Sequence, residues 1–150
     1  MNTCCFARTT IVALLLAASA PIAQAQVPIG ECPQPRFTGK APDEYYNRAM
    51  PEGAARDIRA GERLYQGQEG PVANCVICHG KSGNGKGTLA NQYDPPPRNF
   101  ACARVVNGIP EGQLFWIIRY GSPGTGMPPH AGLKDDQVWQ IVSYLRVLAK

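Results

Sequence analysis

Several things are scarce in this sequence, and each absence removes a class of protein. No apolar run approaches the roughly 20 residues that a membrane-spanning helix needs; the run from Ile11 to Ala18 falls far short, and no later stretch comes closer. Charge is thin at 17% of residues, with 15 Lys and Arg against 11 Asp and Glu. So mild an excess lacks the dense basic stripe of a nucleic-acid binder. Internal repeats and low-complexity segments are absent. There are only two histidines, and Cys75 and Cys78 have no second closely spaced cysteine pair to complete a structural zinc site, since Cys32 and Cys102 stand far apart. A thioredoxin-like redox pair needs a preceding strand in a βαβ setting, which a chain with 14 Pro and 16 Gly does not offer. The loop Gly80 to Gly87 departs from the G-x-x-x-x-G-K-[ST] spacing of a phosphate loop.

What is present is Cys75-Val76-Ile77-Cys78-His79, a C-x-x-C-H pentapeptide. One helical turn separates the two thiols, so both reach the same edge of a flat macrocycle while the next residue turns its imidazole towards the centre. That arrangement predicts a covalent haem site, with thioethers from Cys75 and Cys78 and His79 as proximal iron ligand.

Far downstream stands Gly124-Thr125-Gly126-Met127-Pro128-Pro129-His130. Together, CVICHG and GTGMPPH resemble a class I cytochrome c, a family of small, mainly α-helical electron carriers with His/Met-ligated haem. The resemblance runs from about Asp57 to the C-terminus. It implies about four helical segments around one covalently bound haem c. It also implies Met127 as the sixth ligand, because GTGMPPH matches the family there. His130 is the rival, and an open position is the third possibility. A Gly- and Pro-rich loop suits either residue, since it carries a side chain over the iron without a helix competing for the backbone.

The N-terminal 25 residues read as a secretory signal: Arg8, then the apolar run, then Ala23-Gln24-Ala25 as the cleavage pattern. Arg8 is the only charge in the signal, so removal leaves 14 basic against 11 acidic residues, a net +3. Cys4 and Cys5 leave with it. Residues 26–50 form an irregular, Pro-rich extension without helical period, and 51–150 the cytochrome domain. Haem c attachment and export point to the bacterial periplasm, where the remaining pair, Cys32 and Cys102, is expected as a disulfide; two separate buried thiols are the alternative.

Apolar spacing predicts a helix from Pro51 or Ala54 to Tyr65, with Ala54, Ile58, Gly61 and Leu64 or Tyr65 on one face. Glycine on that face predicts the close approach of another helix, which in the resembled family is the C-terminal one, near Tyr144. A second helix is expected over Pro110–Tyr120 with Gly121 as its stop, and a last over Asp135–Ala149. Trp116 is expected in the core. In Asp94-Pro95-Pro96-Pro97-Arg98-Asn99-Phe100, a carbonyl of Pro95, Pro96 or Pro97 is expected to accept the second N–H of His79. Arg98 or Asn99 is a candidate for a haem propionate, or else a solvated surface group.

The expected function is electron transfer by a soluble, exported monohaem protein that is not an enzyme, serving a dehydrogenase donor and an oxidase or reductase acceptor. The rivals are a peroxidase-like or gas-binding haem protein with an open sixth position, and an electron-transfer subunit of a larger dehydrogenase. Between Cys75 and Met127, Lys81, Lys86, Arg98, Arg104 and Arg119 outnumber Asp94 and Glu111, which predicts a basic docking ring for an acidic partner patch.

Overall fold

The computed structural model describes residues 28–34, 38–53 and 57–150. The signal segment and Ala54 lie outside these residues. Among the described residues the chain is helical without strands: α1 (Asp43–Tyr46), α2 (Ile58–Tyr65), α3 (Val76–His79), a 3-10 turn (Ala90–Gln92), α4 (Ala103–Val106), α5 (Glu111–Tyr120) and α6 (Asp135–Leu148). The fold is mainly α, as expected. Its helices outnumber the expected segments because α1 and α4 are single four-residue turns, too short to leave a period in the sequence.

Helix α2 starts at Ile58, later than expected, because Asp57 caps it. The Asp57 carboxylate accepts from the Ala60 N–H at 2.9 Å, satisfying an otherwise orphaned donor of the first turn. Ala60, Gly61, Leu64 and Tyr65 are buried, while Ile58, expected on the same face, is 42% exposed in the first turn. The buried face crosses α6 at Gly61. An ideal Cβ there would lie 2.6 Å from the Gln140 carbonyl carbon, nearer still to its oxygen, and 3.2 Å from Tyr144 Cβ, so the two backbones touch where only glycine fits. The Tyr65 and Tyr144 rings meet beside the crossing with centroids 5.4 Å apart.

Helix α6 begins with a cap in which the Lys134 N–H donates to the Gln137 side chain at 2.8 Å, and Asp135 and Asp136 complement the positive end of its dipole. Val138, Trp139, Ile141, Val142, Tyr144 and Leu145 form its buried stripe. The C-terminal end of α5 is set by Gly121, whose φ of +83° takes the chain out of the helix. Leu114, Phe115 and Ile118 of α5 join the core, and the Phe115 and Trp139 rings lie 4.5 Å apart. Trp116, expected in the core, is only half-buried; its ring lies 6.3 Å from that of exposed Tyr120. Burying each large side chain of this cluster stabilises the fold by about 1.5–3 kcal/mol.

The extension packs against the rest rather than trailing from it. Its turn α1 presses on α5 at Gly112, where an added Cβ would sit 3.0 Å from the Tyr45 carbonyl carbon and nearer still to its oxygen. Gln113, buried in α5, accepts from the Ala41 N–H at 2.7 Å and donates to the Gly39 carbonyl at 2.9 Å. Sγ of Cys32 is joined to that of Cys102, with Cα atoms 5.5 Å apart.

Candidate functional site

Helix α3 is a single turn, and a single turn leaves its last carbonyls without partners. The glycine-rich loop that follows supplies them. Gly85, Gly87 and Leu89 donate their N–H groups to the carbonyls of His79, Cys78 and Ile77 at 2.8, 3.1 and 2.8 Å. Gly87 must be glycine for this: a Cβ would lie 2.6 Å from the Cys78 carbonyl carbon. The loop therefore holds the C-x-x-C-H turn in shape. From the other side, Tyr65, fully buried in α2, donates its hydroxyl to the Gly80 carbonyl at 2.8 Å. Burial first, and then the Cys75 sulfur, raise the Tyr65 hydroxyl well above its ordinary value, which keeps it a neutral donor.

His79 is 7% exposed, stacked on Phe100 with ring centroids 4.4 Å apart. Its Nδ1 lies 3.0 Å from the Arg98 carbonyl. With Nδ1 donating there, Nε2 is the atom left to bind a metal. The acceptor is thus Arg98, not Pro95, Pro96 or Pro97 as expected. The Pro97 carbonyl is occupied by the side-chain amide of Gln34 at 3.0 Å, and the next carbonyl along takes the imidazole.

Met127 sits on a loop closed by its own backbone. The Ser122 N–H donates to the Met127 carbonyl at 3.2 Å, Thr125 Oγ1 accepts from the Met127 N–H at 3.2 Å, and the His130 N–H reaches back to the Ile118 carbonyl at 3.1 Å. Gly126 lies against the Tyr93 ring: a Cβ there would come within 2.5 Å of Tyr93 Cε1, so no side chain fits. Cys75, Cys78, His79 and Met127 all line one cavity of about 760 Å³, within the roughly 300–1,000 Å³ of small-molecule and cofactor sites. His130 lines it too. Burial lowers the His130 imidazole below its ordinary value, partly offset by a hydrogen bond to the Val72 backbone.

Much of the remaining wall is apolar, including Leu114, Ile117 and Ile118 from α5 and Ile141 and Leu145 from α6. Burial, with Cys78 second, pushes the Cys75 thiol up to about 12, so the pocket does not itself activate this sulfur as a thiolate. Arg98 also lines the cavity and is 9% exposed, donating to Thr38 Oγ1 at 2.6 Å. Asn99 is not in the wall. It is buried against the extension, donating its backbone N–H to Gln34 Oε1 at 2.8 Å and its side-chain amide to the Gly30 carbonyl at 2.8 Å.

A sequence model of the cytochrome c family matches residues 58–149. The chain belongs to the cytochrome c family. Membership implies electron transfer by covalently bound haem c. Among solved structures, this cytochrome is similar to a chain of the reducing HAO-like protein complex of Kuenenia stuttgartiensis. The identity is 25% and the TM-score 0.55, over 77% of this chain and 52% of that one. This chain therefore spans about half the length of that relative.

The residues present fit haem c. Two sulfurs one helical turn apart, an imidazole with one nitrogen committed to a carbonyl, and a thioether on a braced loop share one largely apolar cavity. Ser122 Oγ, buried in the same wall, has no hydrogen-bond partner among the described residues, as a group that serves a bound ligand would. Four residues of the extension, Gln34, Thr38, Lys40 and Tyr46, also line the cavity. No motif marks them in the sequence, and they precede the stretch that the family model matches.

Proposed function

We propose that this cytochrome is a soluble, exported electron carrier holding a single haem c between His79 and Met127, and that it is not an enzyme. The observation that carries this reading is the convergence of Cys75, Cys78, His79 and Met127 on one cavity. Haem c supplies a one-electron iron couple when bound. The chain's own residues attach, orient and tune. Cys75 and Cys78 would anchor one edge of the haem through thioethers. His79, held in orientation by the Arg98 carbonyl, would supply Nε2, and Met127 would supply sulfur from its closed loop. Two protein ligands would leave no position for a substrate, and a soft thioether would favour the reduced ion relative to a second imidazole.

The compartment follows from the same reading: residues 1–25 direct export to the periplasm, 26–50 form the extension and 51–150 the cytochrome domain. Docking falls to the surface beside α3. Ile77, between the two cysteines, is 39% exposed, and Lys81 and Lys86 on the following loop are exposed. The partners are a dehydrogenase donor and an oxidase or reductase acceptor with an acidic patch. The basic ring is smaller than the sequence count, since Arg98 is buried and the half-buried Arg119 is paired with Asp135.

Reductive titration of the purified protein under carbon monoxide tests the assignment. The expected result is one electron per chain and an unchanged reduced spectrum; ready carbon monoxide binding would move the protein to the open-site haem proteins. A second reading, a subunit of a larger electron-transfer complex, is favoured by the similarity to a chain of a multiprotein complex. Co-purification of a stoichiometric partner from native periplasm and membranes would select it.

A further inference from the structure

The extension meets the His79 side of the cavity at the peptide segment around Arg98, and Gln34 grips that segment. A ligating imidazole is oriented, and its basicity raised, by the acceptor behind it. Here that acceptor is the Arg98 carbonyl, 3.0 Å from His79 Nδ1. A main-chain carbonyl in a loop can rotate away unless its own peptide plane and the one before it are fixed. Both are fixed by one side chain. Gln34 Nε2 donates to the carbonyl of Pro97 at 3.0 Å, and Gln34 Oε1 accepts the N–H of Asn99 at 2.8 Å. The amide thus bridges the residues immediately before and after Arg98. Gln34 is 5% exposed, so these bonds are shielded from water. Two more bonds seat the same segment on the extension: Asn99 Nδ2 to the Gly30 carbonyl at 2.8 Å, and the Arg98 guanidinium to Thr38 Oγ1 at 2.6 Å.

We infer that Gln34 is a positioning residue for the axial histidine, clamping the Arg98 carbonyl so that the extension sets the electron-donating strength of His79. The clamp rests on His79 being the iron ligand. It gives the extension, which precedes the family-matched stretch at 58–149, a role in tuning the couple. The direction of the effect follows from charge. A firm hydrogen bond to Nδ1 makes the imidazole more basic and favours the ferric ion, so loosening the clamp favours the ferrous one.

The test uses holoprotein carrying Gln34→Leu, with Gln34→Glu as a near-isosteric second variant that, at a pH where its carboxyl is ionised, still accepts from Asn99 but cannot donate to Pro97. Tyr45→Ala loosens the same extension where Tyr45 packs on Phe115, away from Arg98. Two readouts are taken: solvent exchange of the His79 Nδ1 proton by NMR in the reduced state, and the reduction potential. The expected result is faster exchange in both Gln34 variants. Gln34→Leu should also shift the one-electron equilibrium towards the reduced form by up to about tenfold, equivalent to about 59 mV. Tyr45→Ala should leave both readouts close to wild type. If Gln34→Leu yields no holoprotein, Gln34→Glu decides by the same readouts. Exchange as slow as wild type in the Gln34 variants, or equal acceleration by Tyr45→Ala, overturns the clamp. His79→Ala separates the two levels: an unchanged absorption spectrum there would remove the ligand assignment and the clamp with it, whereas altered ligation there with unresponsive Gln34 variants removes the clamp alone.

Discussion

Replacing Gly61 by Ala adds one methyl group where the backbones of α2 and α6 touch. In an open helix that change is favourable by about 1 kcal/mol, because glycine loses more backbone freedom on folding. Here the methyl would sit 2.6 Å from the carbonyl carbon of Gln140, where ordinary contact begins at roughly 3.4 Å. The obstructing atoms are α6 backbone and Tyr144 Cβ, neither of which can rotate out of the way. Relief therefore requires the two helices to separate by roughly 1 Å, which loosens the contacts of Leu64, Tyr65, Ile141 and Leu145 around the crossing. Overpacking of this kind costs about 1–3 kcal/mol, and a fully backbone-blocked site belongs at the upper end. After the propensity gain the net loss is about 2 kcal/mol. For a domain of roughly 100 residues that corresponds to a fall in Tm of roughly 8–16 °C. Thermal and denaturant unfolding of the holoprotein, with Gly108→Ala as a control whose nearest neighbour would be an ordinary 3.7 Å away, measures it. A Gly61→Ala protein as stable as wild type, or more so, would refute the argument that backbone contact dictates glycine there.

Covalent attachment predicts that denatured protein keeps its haem, seen as peroxidase staining on a gel, and that Cys78→Ser sharply lowers holoprotein yield; haem that extracts into acidified organic solvent would contradict it. Mass spectrometry of unreduced protein should find the Cys32 and Cys102 peptides joined, and removing the link should cost about 2–4 kcal/mol by unfolding titration; free-thiol labelling at both positions would count against it. If exposed Lys81 and Lys86 steer docking, the second-order electron-transfer rate should fall steeply as salt shortens the Debye length below about 10 Å, and Lys81→Glu with Lys86→Glu should slow the low-salt rate without moving the potential. A rate insensitive to both would place docking elsewhere.

The parts legible in the sequence are those where covalent spacing or helical period does the work. Cys75, Cys78 and His79 are adjacent in the chain, and Gly61 announces its crossing because glycine is costly on an apolar helix face unless something lies close. Helix α6 declares its start through Asp135 and Asp136, and it ends at Leu148, one residue before the expected Ala149. Other features depend on contacts between residues far apart in sequence. The His79 acceptor is Arg98 rather than a proline because Gln34, more than 60 positions away, occupies the Pro97 carbonyl. Charge counting alone puts Arg98 in the docking ring, yet it is buried against Thr38 and the cavity. The start of α2 is displaced by the Asp57 cap, since Pro51 is an equally good local signal. Beyond Cys32, the extension gives no warning of its contacts, because hydrogen-bonding side chains in an aperiodic segment leave no pattern to read.

The central claim is that iron is held between His79 and Met127, and the oxidised absorption spectrum tests it most directly. Ferric haem bound by methionine sulfur gives a weak band near the red end of the visible range. The account predicts that this band is present in the wild type, lost in Met127→Ala with a lower potential and new binding of cyanide or carbon monoxide, and kept in His130→Ala. A spectrum that changes ligation with His130→Ala and not with Met127→Ala would contradict it.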